Sequence, residues 1–138
     1  AALKLLLAEI ATTCRDAATD ATLREFAAQL GAAAQLAGDT TRAVGERMAN
    51  GDVRRSLANA THYMTLLGHV VIAWTWLWQA LVAARALPSA SAADRAFYQG
   101  KLQACRFFFA TELPLVEHAA RLVREADPSA YEMRDEWF

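Results

Sequence analysis

Apolar residues recur at three- and four-residue steps along most of the chain, the period of an α-helix with one buried face. Leu3, Leu6, Leu7, Ile10, Cys14 and Ala17 form the first such row and predict a helix over 3–18. Asp20 follows as a candidate N-cap, because its side chain can accept from the unpaired amides of a new first turn. From there Leu23, Ala27, Leu30, Ala34, Ala37, Thr41, Val44 and Met48 step by 4, 3, 4, 3, 4, 3 and 4. This row predicts one long helix over 21–49. Asn50, Gly51 and Asp52 then supply a stop, a left-handed turn residue and a fresh cap.

A third helix is predicted over 53–87, ended by Pro88, with Leu57, Thr61, Met64, Gly68, Val71, Thr75, Trp78 and Val82 as its inward row. Pro88–Ala93 is the only evident loop. Asp94 opens a fourth helix, whose row runs Tyr98, Leu102, Cys105, Phe109, Leu113, Val116, Ala120 and Val123. Pro114 falls inside that row and predicts a kink. The residues from Asp127 to Phe138 are weakly patterned. Short connections make neighbouring helices antiparallel, so the expected fold is all-α, an up-down bundle of about four long helices forming a single domain over residues 1–138. The chain opens mid-helix on Ala1, which reads as a piece of a longer polypeptide.

Composition sharpens this picture. Ala and Leu supply 32 and 17 of the 138 residues, while Val plus Ile, and Gly plus Pro, supply only 9 each. That balance excludes a β-rich fold. Fourteen Lys and Arg against fifteen Asp and Glu leave a net charge of −1, with no basic excess to attract nucleic acid or anionic lipid. Cys14 and Cys105 lie far apart, without metal-ligand spacing, and read as buried free thiols of a reducing, cytoplasmic compartment.

The third helix is anomalous. Between Arg55 and Arg85 lie 29 residues without one Asp, Glu, Lys or Arg, long enough to cross a bilayer. Asn59, His62, His69 and Gln79 interrupt the run with groups that are costly in lipid. Trp74, Trp76 and Trp78 cluster in its middle, whereas membrane anchors sit at the ends. A buried core helix is therefore the better reading than a membrane-attached one. Yet Leu66, Ala73 and Ala80 lie on its far side with Trp76 nearby, so the helix is apolar all round. Three neighbours cannot cover every side, and a copy of the chain or another domain must cover the rest. Trp76 is the residue expected to face that partner.

The sequence contains no recognisable catalytic constellation. His62 and His69 are seven apart on one helix, His118 stands on another, and no carboxylate lies at helical spacing from the first two. The histidines therefore predict no metal site. Neither cysteine has a nucleophile's setting. Gly31, Gly38 and Gly45 share one helix face and predict close helix approach, since a phosphate cradle needs a loop. Lys101 and Arg106 flank Phe107, Phe108 and Phe109, a setting that suits contact with a phosphate or carboxylate but more commonly stems packed along a helix edge. No catalytic, cofactor-binding or metal residue is assigned.

The segments from His62 to Ala83 (HYMTLLGHVVIAWTWLWQALVA) and from Phe97 to Pro114 (FYQGKLQACRFFFATELP), with the closing Phe138, resemble a particular domain. It is the C-terminal helical extension of the large bacterial acyl-CoA dehydrogenases of the 3-methylmercaptopropionyl-CoA dehydrogenase-like type. The resemblance implies a parent flavoenzyme that oxidises an acyl-CoA to its 2-enoyl-CoA with FAD and passes electrons to an electron-transfer flavoprotein. It implies upstream dehydrogenase domains as partners, a homo-oligomer, and a non-catalytic role here in packing, oligomerisation or bordering the substrate entrance. The family's catalytic Glu and flavin contacts lie upstream and match nothing in this chain. Two alternatives remain beside it: a stand-alone helical module that self-associates through its third helix, and the membrane-attached protein.

Overall fold

A computed structural model describes residues 2–138. Seven helices appear in the order α1 (Ala2–Ala18), α2 (Arg24–Ala49), α3 (Val53–Ala58), α4 (Ala60–Ala86), α5 (Ala92–Thr111), α6 (Leu115–Glu125) and α7 (Ser129–Glu132), with no strand among the described residues. The four predicted long helices correspond to α1, α2, α3 with α4, and α5 with α6. The all-α bundle is as expected.

The predicted rows of three segments form the core. Ile10 and Ala17 of α1 are buried, as are Leu23, Ala27, Leu30, Ala34 and Ala37 along α2. Cys105, Phe109, Leu113, Val116, Ala120 and Val123 carry one buried row across α5 and α6. Phe26 tilts against Phe109 at 5.0 Å between ring centres, tying α2 to α5.

Helix boundaries depart from expectation where side chains compete for the backbone. Asp20 does not cap α2 at residue 21. Its Oδ1 accepts from the Thr22 amide at 2.8 Å and hydroxyl at 2.6 Å, while its carbonyl takes the Leu23 and Arg24 amides. The helix thus begins three residues late. Ser91 caps α5 by accepting from the Asp94 amide at 3.2 Å, so α5 starts at Ala92, ahead of Asp94. Pro114 does more than kink its helix: residues 112–114 tighten into a turn, with Leu115 donating to the Glu112 carbonyl, before α6 resumes.

The third predicted helix breaks at Asn59, whose φ of −109° and ψ of 23° leave the helical region. Its side-chain amide donates to the Asp127 carbonyl at 3.4 Å, an attachment available to Asn and absent from the apolar pattern. Beside it, Arg55 donates to the Ala126 and Glu125 carbonyls and Arg47 to those of Val123 and Arg124. Two guanidinium groups thereby satisfy the last turn of α6, where the helix dipole favours positive charge. Of the three spaced glycines of α2, only Gly38 meets a neighbour, the Leu7 side chain of α1.

The largest difference concerns α4. Helices α1, α2, α5 and α6 all pack on it, making it the central helix, and the stretch Ala60–Ser89 is also long and apolar enough to cross a bilayer. Its buried row is Leu66, Val70, Ala73, Leu77, Ala80 and Leu81. The row expected to point inward points out: Met64, Trp78 and Val82 are exposed, with Leu57 of α3 beside them. Where every side is apolar, periodicity marks two opposite rows equally well. Small Ala73 and Ala80 select the inner one by letting four helices approach closely.

Candidate interaction surface

The outer face of α4 presents Met64 at 65% exposure, Ile72 at 47%, Trp78 at 58% and Val82 at 51%. No charge interrupts it. Isolated apolar residues on a surface need no explanation, but a contiguous row of this size does.

The row runs into a cleft of about 410 Å³ between α4 and α5, walled by Trp78, Val82, Phe97 and Tyr98, with Gln79 and Lys101 as its polar groups. Antiparallel packing brings the end of α4 beside the start of α5 and so assembles residues 22 positions apart. The Lys101 ammonium donates to the Gln79 side-chain carbonyl at 3.0 Å. It also lies 5.6 Å from the Trp76 ring centre and 5.4 Å from that of Phe97, favourable places for a cation. Among the described residues it has no carboxylate partner.

Trp76, expected to face another domain, is half-buried against the core beside Lys101. The adjacent Trp78 is the outward one. Trp74 turns the other way and donates to the Thr13 hydroxyl at 2.8 Å. Three tryptophans in five residues therefore serve three different contacts, as a 100° turn per residue dictates.

Lys101 and Arg106 are not brought together. Arg106 borders a separate hollow with Asp20, Leu23 and Gln103. His62 and His69 are not joined by His118, and no group of three potential metal ligands forms among the described residues. His69 Nδ1 pairs with the Thr65 carbonyl at 2.8 Å, while Nε2 faces Glu112 at 3.6 Å. That carboxylate comes from the far end of α5, which no local spacing could reveal. Burial pushes the Cys105 thiol up to about 12; burial also raises Cys14, partly offset by Arg15. Both thiols are free, Cys14 only half-buried, and neither is activated as a nucleophile.

The family described as acetyl-CoA dehydrogenase C-terminal like matches residues 6–134. The chain belongs to that family. No curated protein sequence matches it. Membership in the acetyl-CoA dehydrogenase C-terminal-like family implies FAD in the full-length protein, and the α4–α5 cleft and the starts of α5 and α6 do not fit that cofactor. A flavin pyrophosphate needs convergent amide donors in a loop or at an open helix N-terminus. Here the start of α5 already holds Asp94, which its own Ser91 binds, and α6 opens with Pro114 and Glu117. The α4–α5 cleft offers one cation and one amide against apolar walls.

Proposed function

We propose that this chain is the non-catalytic C-terminal domain of a longer FAD-dependent acyl-CoA dehydrogenase, and that the outer face of α4 is buried when that enzyme assembles. The parent is a cytoplasmic, oligomeric flavoprotein of the 3-methylmercaptopropionyl-CoA dehydrogenase-like type. It oxidises acyl-CoA to 2-enoyl-CoA in fatty acid metabolism and reduces an electron-transfer flavoprotein. The flavin, bound in the upstream domains, supplies the hydride acceptor, and the base that removes the α-proton also lies there. This chain's residues supply packing surface.

The observation that carries this reading is the charge-free row from Met64 to Val82, left in water while four helices cover the other sides of α4. Oxidative footprinting read by mass spectrometry tests it. Met64 and Trp78 should label readily in the 138-residue chain held below 1 µM, where self-association does not contribute, and be protected severalfold in the flavin-loaded parent. Equal labelling in both would refute the packing role. The chain alone should purify without flavin, and a tightly bound yellow chromophore would contradict its non-catalytic assignment. The same exposed row also favours a second reading, a stand-alone module that self-associates; a native mass near 15.1 kDa would select it.

A further inference from the structure

We infer that the outer face of α4 is covered by the same face of a second copy, running antiparallel, and that the C-terminal segment of each copy seats in the α4–α5 cleft of the other. This rests on the packing role proposed above and names its partner.

The α4 face is self-complementary by size. An antiparallel pair with its twofold axis beside Val71 sets Met64 against the partner's Trp78, a sulfur–aromatic contact. Val71 meets its own copy at the axis, and small residues flank it, Gly68 near the partner's Thr75, which limits the separation the two helices need. Exposed on this face and the C-terminal segment are Met64, Ile72, Trp78, Val82, Trp137 and Phe138, from 47% to 97%. At about 130 Å² each they provide roughly 800 Å² per protomer, what a stable dimer buries on each side.

The C-terminal segment supplies the other half of the argument. It is anchored at the α3–α4 junction, where the Arg54 guanidinium lies 4.8 Å from the Tyr131 ring centre and donates to the Tyr131 carbonyl. The cleft is at the opposite end of α4, about 30 Å away at 1.5 Å per residue. Residues 132–138 reach at most about 25 Å beyond Tyr131, so Asp135, Trp137 and Phe138 cannot enter the cleft of their own chain. Antiparallel pairing places Ala60 of one copy beside Val82 of the other, and so delivers the segment to the partner's cleft. Charges match as well. Lys101 has no carboxylate partner among the described residues, whereas the segment carries Asp135 and Glu136 beside two exposed aromatics. Arg134 takes Glu136 at 3.7 Å, which leaves Asp135 for the ammonium.

Sedimentation velocity of the 138-residue chain from 1 to 100 µM tests this, with circular dichroism confirming each variant's fold. The wild type should dimerise and Met64→Glu remain monomeric throughout. Lys101→Glu and Asp135→Lys should each weaken the dimer at least tenfold, and the two together should restore it to within threefold of wild type. A wild type monomeric at 100 µM would overturn the pairing. A dimer indifferent to both charge reversals, or not restored by their combination, would overturn the placement of the segment. A monomeric chain whose Met64 and Trp78 are nevertheless shielded in the parent enzyme would sink self-pairing and leave the packing role standing.

Discussion

Leu77 and Trp78 are neighbours in sequence with opposite surroundings, so truncating each in turn tests which face of α4 is inside. Leu77 is 0% exposed, at the meeting point of the packed helices, whereas Trp78 is 58% exposed. Removing a fully buried leucine side chain costs its transfer free energy plus that of the cavity, about 3–4 kcal/mol in a site hemmed by several helices. A domain of this length has about 7–20 kcal/mol of stability. Leu77→Ala should therefore still fold but melt roughly 10–15 °C lower. Trp78→Ala removes a larger side chain already half in water and replaces it with a better helix former, so its cost should stay below about 1 kcal/mol. Urea unfolding followed at 222 nm gives both values. It should be run below 1 µM, so that self-association does not contribute. Comparable losses for the two variants, or a larger one for Trp78→Ala, would mean that the predicted inward row is inward after all and that the helix is turned the other way.

Three further outcomes are expected. Thr40 is fully buried and its hydroxyl has no hydrogen-bond partner, so Thr40→Val, of nearly the same shape, should raise stability by about 1 kcal/mol in the same urea assay; a loss would point to a hidden partner for the hydroxyl. Arg55→Ala uncaps the Glu125 and Ala126 carbonyls and should cost about 1.5–3 kcal/mol, with faster amide exchange in the last turn of α6 as its local signature. Burial holds the Cys105 thiol at about 12 against 9.0 for an unperturbed thiol. The unfolded chain thus releases this proton first as pH rises, and the stabilisation present below pH 9 is lost progressively between 9 and 12. Wild type should therefore lose more stability than Cys105→Ala between pH 8 and 10.5, and parallel losses would exclude that linkage.

The rows of α1, α2, α5 and α6 were legible because each of those helices has one apolar side, so its period and its inner face are the same fact. Helix α4 shows where that reasoning stops. A period locates rows; polarity contrast decides which row is wet, and 29 residues without a charge provide no contrast. Leu66, Ala73 and Ala80 were visible as a second row, but the choice between rows depends on what four other helices can fit against, which is a tertiary quantity. The candidate surface was half legible for the same reason. Lys101 stood out by its setting among aromatics, while its contacts with Gln79 and Trp76 require α4 and α5 to lie antiparallel at one particular register. The Asn59 break and the arginine caps on α6 join residues about 70 positions apart, beyond any local pattern.

The inner face of α4 carries alanines at 73, 80 and 83 among Leu66, Val70, Leu77 and Leu81, while Met64, Ile72, Trp78 and Val82 face water, so the bundle by itself leaves four large apolar side chains of this helix without full cover. Fully burying a large apolar side chain contributes about 1.5–3 kcal/mol relative to leaving it exposed. Each of those four outer residues is about half exposed, so a partner could recover on the order of 4 kcal/mol from them in one copy and about twice that from two symmetry-related faces. Association costs an estimated 4–15 kcal/mol before any net affinity appears. The α4 faces alone therefore sit near balance, which makes the contribution of Trp137, Phe138 and the Asp135–Lys101 contact decisive. On this arithmetic, deleting residues 133–138 should convert a measurable dimer into a monomer at 10 µM while leaving the urea midpoint measured below 1 µM unchanged, because that segment buries nothing in its own bundle. A dimer that survives the deletion with unchanged affinity would show that the helical faces suffice and that the exposed aromatic end has another partner.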